Sequence, residues 1–165
     1  MSLDSHPINS ALLSQLQILK QTDLTQSATQ LLQRSNKAQR QESFKRALVE
    51  LNQSFEEALA DAVALRFNLH AGQRKKLHFK KDRTRILKQH GIDYPAIDGA
   101  ETAQILLLIT QSIVFDDAIV SKDLHDAFPF WKEGYPMVQF DNTYTLLAED
   151  IQIHYQNVID QLLKI

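Results

Sequence analysis

Between Phe44 and Leu69 the apolar residues Phe44, Leu48, Leu51, Phe55, Ala58, Ala62, Leu65 and Leu69 alternate spacings of four and three without a miss. Only an α-helix gathers such positions into one stripe, because its side chains return to the same face about every 3.6 residues. A helix over residues 43–70 is roughly 40 Å long, and an apolar stripe of that length requires helices alongside it. Two covers are open: helices of the same chain, or a second copy in a homodimer through residues 44–69. Gly72 then offers a stop.

The rest of the chain reads as helical too. Leu12, Leu16 and Leu19, then Leu24, Ala28 and Leu31, keep the spacing, with a jump of five at Thr22-Asp23 that predicts a break or a change of face. Asp98-Gly-Ala-Glu101 has the residue types of a capping box, with Asp98 as the cap. It opens AETAQILLLITQSIVF, apolar nearly all round and expected to be the most buried helix. A shorter helix is expected from Ser121 to before Pro129, and a last one capped by Asp141 or Asn142. FPFWKEGYPMVQF, with its aromatics, two prolines and a glycine, predicts an ordered loop or short strand. The expectation is an all-α, single-domain bundle of five or six helices over residues 1–165, with a long heptad-patterned second helix and one aromatic loop.

The 165 residues, 44% hydrophobic and 23% charged, suffice for a sizeable core. There is no cysteine, which excludes disulfides, a thiol nucleophile and cysteine-ligated metal, and fits a reducing cytoplasm. MSLDSHPINS lacks the basic and apolar regions of a signal peptide. The longest apolar run, Ile105 to Ile109, is too short to cross a bilayer. A cytoplasmic protein without a membrane partner is expected.

Charge divides the chain. Residues 1–91 hold 15 Lys and Arg against 8 Asp and Glu, a net of +7, whereas residues 92–165 hold 3 against 12, a net of −9. RKKLHFKKDRTRILK carries Arg74, Lys75, Lys76, Lys80, Lys81, Arg83, Arg85 and Lys88 against the single acid Asp82. As one exposed face these cations would neutralise several phosphates of RNA or DNA, with His78 and Phe79 able to stack on bases. A second basic segment, Arg34 to Arg46, lies toward the other end of the long helix. The alternative is a solvated face or a counter-surface to the acidic half.

RILKQH-GI-DYPAIDGA resembles a helix-turn-helix over about twenty residues, with Pro95 suited to the first turn of its second helix. That resemblance implies DNA reading, but the recognition helix would present Asp93, Asp98 and Glu101 to phosphates. Arg85-Ile-Leu-Lys-Gln-His90 is similar to the Arg-x4–6-His motif of HEPN-type ribonucleases. That likeness implies that Arg85 and His90 act on the RNA 2′-hydroxyl and scissile phosphate, although Ile86 stands where the family has a polar residue.

Other chemistry is thinly represented. No Gly-rich phosphate loop, nucleophile elbow or Walker lysine is present, so no cofactor is expected and no catalytic residue is assigned. His125-Asp126, with His90 upstream, and Asp150 with His154 are incomplete as metal ligand sets. The adjacent acids Glu56-Glu57 and Asp116-Asp117 point about 100° apart on a helix and read as solvated. The aromatic loop is the other candidate surface. Asp126, Phe130, Trp131, Glu133 and Tyr135 form a protein-binding hot spot if exposed, and a plug for the bundle if buried.

Three functions follow. The first is a non-catalytic cytoplasmic regulator, of inhibitor or immunity type, whose acidic half takes a basic protein partner. The second is a nucleic-acid-binding regulator using residues 74–88. The third is a HEPN-like ribonuclease.

Overall fold

The computed structural model describes residues 8–165, which form eight α-helices and two single turns of 3-10 helix. The helices are α1 (Ser10–Lys20), α2 (Gln26–Gln33), α3 (Arg40–Phe67), α4 (Ala71–Lys76), α5 (Lys80–Gln89), α6 (Ala100–Phe115), α7 (Lys122–Ala127) and α8 (Phe140–Lys164). Among the described residues there is no strand beyond an isolated bridge between Ile119 and Pro136. No helix among them is long and apolar enough to cross a membrane.

Eight helices stand where five or six were expected, because short breaks divide two segments. Asp23 accepts hydrogen bonds from the backbone N–H and hydroxyl of Thr25, an Asx turn that separates α1 from α2. Gln152 of α8 clasps this break, accepting from the Leu24 N–H at 3.0 Å and donating to the Thr22 carbonyl at 2.8 Å. The basic stretch likewise divides at Leu77–Phe79 into α4 and α5.

The long helix is α3, and its stripe is covered within the chain. Leu48, Leu51, Phe55 and Ala62 are fully buried, and α3 packs on α1, α2, α6 and α8. Facing them, α8 buries Leu147, Ile151, Tyr155, Val158 and Leu162. Arg66, also buried, donates to the carbonyls of Leu162 (3.0 Å) and Ile165, satisfying acceptors that a helix end leaves open. Each fully buried leucine or phenylalanine contributes about 2–3 kcal/mol, so the α3–α8 seam is the main stabilising contact.

Several local expectations are corrected. The α3 stop is Asn68, in the left-handed region at φ 51°, while Gly72 lies inside α4. Asp98 caps nothing: α6 starts after Gly99 (φ 88°), and a side chain at 99 would collide with His154. α8 begins at Phe140, one residue before the expected caps, after Gln139 in the left-handed region. Gln41 supplies the missing acceptor to the Phe140 N–H at 2.9 Å. Finally, α6 is not the most buried helix. It buries Ala103, Leu106, Ile109 and Ser112 against α3, α7 and α8, and leaves Val114 and Phe115 in solvent.

Candidate functional sites

The eight cations of residues 74–88 do not form one surface. Arg74 pairs with Asp61 and with Glu57 (3.3 Å), both on α3. Arg85 pairs with Asp82 at 3.0 Å. Arg83, only 5% exposed, is turned into the protein with Leu77, Ile86 and Leu87. The exposed remainder is Lys75, Lys76, Lys80, Lys81 and Lys88, and among the described residues none of these five joins an ion pair. His90 is buried, stacked on Phe67 with ring centroids 4.0 Å apart, while Arg85 is exposed. Arg85 therefore lies in solvent and His90 in the interior.

Arg83 belongs instead to a buried polar chain. Its guanidinium donates to Glu56 of α3, to the Leu77 carbonyl at 2.8 Å and, more distantly, to the Tyr94 hydroxyl at 3.4 Å. It also lies over the rings of Phe55 and Tyr94. Glu56 is therefore not the solvated acid its neighbour Glu57 is. It is 8% exposed, and His78 reaches the same carboxylate oxygen at 3.0 Å. Burial works against the charge on Arg83, and Tyr94 and Glu56 more than offset it, leaving its pKa raised.

The chain continues through Tyr94 to His154, which is fully buried on α8. His154 Nδ1 lies 2.8 Å from the Asp98 carbonyl, which can only accept, so Nδ1 carries the proton. Nε2 then accepts from the Tyr94 hydroxyl at 2.9 Å. Burial pushes the Tyr94 pKa up and the His154 pKa down. Transfer of the phenol proton to the imidazole is opposed at both ends, so the Tyr94 hydroxyl keeps its proton and His154 stays neutral. Among the described residues Glu56 Oε1 and Asn52 Oδ1, one helical turn apart on α3, lack a hydrogen-bond donor. Beside this network a cleft of about 430 Å³ opens between α5, the Tyr94–Ala96 turn, α6 and α7, with Arg83 and Tyr94 in its wall.

The aromatic loop is split between interior and surface. Trp131 is 2% exposed, packs edge-on against Phe128 and Phe140, and donates to the Val138 carbonyl at 3.2 Å. The Trp131 carbonyl in turn meets His125 Nδ1 at 2.6 Å. Phe130, Tyr135 and Val138 remain exposed, as do Asp126 and Glu133. Backbone bonds of 2.8–2.9 Å join Ala118 to Met137 and Val120 to Gly134 and Tyr135. They tie the loop to the segment following α6, and Val114 and Phe115 at the end of that helix are exposed as well. Asp117 and Ala118 bend this segment at φ 51° and 60°, a conformation that costs a residue with a side chain on the order of 1–2 kcal/mol.

The sequence drew attention to the loop but not to Phe115, which periodicity assigns to a buried helix. It also missed Glu56, Tyr94 and His154 as a unit, since residues so far apart carry no common spacing signal. The only local hint was an acid, Glu56, beside the apolar seam position Phe55. Comparison of the chain with protein-family models, with curated proteins and with solved structures finds no match, so function rests on these side chains and their chemistry.

Proposed function

We propose that the chain is a non-catalytic interaction protein, of inhibitor or immunity type, that takes a basic protein partner on the corner built from residues 114–138. One observation carries this reading: Val114, Phe115, Phe130, Tyr135 and Val138 are all exposed in a stretch that also exposes five acids. Those acids are Asp116, Asp117, Asp123, Asp126 and Glu133, and among the described residues none of them joins an ion pair. Exposed aromatics cluster at interfaces, where they bury large area at little entropic cost. The acids around them steer a cationic partner and reject an anionic one. The strained turn at Asp117-Ala118 supports the same place, because such conformations gather at binding surfaces. Trp131 serves as the brace beneath the loop rather than as a contact. With no cysteine in the chain, a reducing cytoplasm is the setting we infer.

The test is capture by the immobilised chain, comparing the native protein with F115S/F130S/Y135S. Loss of the partner by the triple variant, with its denaturation midpoint little changed, supports the reading. An unchanged partner overturns it. A second reading, nucleic-acid binding, is favoured by the exposed lysines Lys75, Lys76, Lys80, Lys81 and Lys88. Fluorescence anisotropy with single-stranded RNA and duplex DNA tests it, and affinity that falls steeply with salt and vanishes on reversal of those lysines is its signature.

A further inference from the structure

The cleft beside the buried network has a different character from either surface. We propose that it binds a small amino carboxylate, a molecule carrying both a carboxylate and a free amine. Arg83 lines the cleft at 5% exposure. A guanidinium has five N–H donors, and the bonds to Leu77, Glu56 and Tyr94 use three of them. That leaves one N–H on Nη1 and one on Nη2 as donors for a carboxylate. Lys80, one turn earlier on α5, adds an exposed cation to the same wall.

The lining also includes two acids, Glu101 from α6 and Asp126 from α7, both exposed. A simple anion entering the cleft meets those two carboxylates, and a simple cation meets Arg83 and Lys80. A molecule bearing both charges finds a partner for each, its carboxylate at buried Arg83 and its amine at exposed Glu101 or Asp126. Pro95, Ala100 and Ala103 add an apolar lining for a short carbon skeleton. About 430 Å³ suits a small molecule and not a folded partner. Asp126 borders both this cleft and the aromatic corner, so occupancy of one is placed to influence the other.

The test is a titration of the isotopically labelled full chain with each of the twenty free L-amino acids, followed by amide chemical shifts at roughly 10 mM ligand. At least one amino acid is expected to move the amides of Thr84, Ala103 and Gln104 saturably. Its carboxamide and N-acetyl forms should fail to do so, and Glu101→Gln should weaken binding roughly tenfold. Arg83→Lys keeps the charge but loses the fork, and should abolish binding. Because Arg83 also braces Glu56, exposed Glu101→Gln and Asp126→Asn decide the matter if that variant unfolds. The proposal is overturned if no free amino acid moves those amides, if the derivatives bind as well as the parent, or if both exposed variants bind normally.

Discussion

Replacing Arg83 with methionine should be among the most damaging single changes in this protein. Arg83 and Glu56 are 5% and 8% exposed, so neither can recover its solvation when the other is lost. After Arg83→Met the Glu56 carboxylate keeps only His78, and Tyr94 loses its cationic neighbour. Breaking a buried ion pair from one side costs about 3–5 kcal/mol, a large share of the ~5–15 kcal/mol that holds a typical domain together. For a chain of this length that is a fall in Tm on the order of 10 °C. Replacing both partners, as Glu56→Leu with Arg83→Met, removes the stranded charge and should return stability to within about 2 kcal/mol of the native protein. Urea denaturation of the four proteins, with m-values shown to be equal, gives the coupling directly. A cost below about 1 kcal/mol for Arg83→Met, or a double variant no better than the sum of the singles, would refute the reasoning.

Other consequences are as definite. Gly99→Ala forces a Cβ to within 2.7 Å of His154 Cβ at φ 88°, and should cost about 2–4 kcal/mol in the same assay. His154 binds its proton less readily in the fold than at the usual 6.5 of the unfolded chain, so its stabilisation is complete above that pH. As pH falls below 6.5 stability should decline, by up to about 1.4 kcal/mol per unit for one proton, and His154→Gln should flatten that part of the profile. Ala118→Gly relieves a left-handed residue and should raise stability by about 0.5–1 kcal/mol by thermal melting. Phe115→Ser removes a side chain that is 79% exposed, and should change stability by less than about 0.5 kcal/mol while weakening partner capture at least roughly tenfold.

The long helix was legible from the seam residues Phe44 to Leu65, because a period of four and three admits no other element, whereas Leu69 lies past the Asn68 stop. The start of α7 at Ser121 was legible too, and there the serine side chain accepts from the Leu124 N–H at 3.1 Å. Caps made by distant groups were not: Gln41 serves the start of α8 from nearly a hundred residues away. The apolar run of α6 misled because composition records how many apolar residues a helix has, not how many neighbours arrive to cover them. Arg83 misled in the opposite direction. In a basic run it reads as one more surface charge, and only the fold shows that Glu56 waits behind it.

Site-specific photo-crosslinking distinguishes the aromatic surface from the lysine surface, with a photoreactive phenylalanine analogue placed at Tyr135 in one protein and at Lys81 in another. A basic partner seated on residues 114–138 gives a saturable crosslink from position 135, competed by the native chain but not by F115S/F130S/Y135S, and none from position 81. Crosslinks that form from position 81 and not from 135, whether to protein or to nucleic acid, would contradict the proposed function.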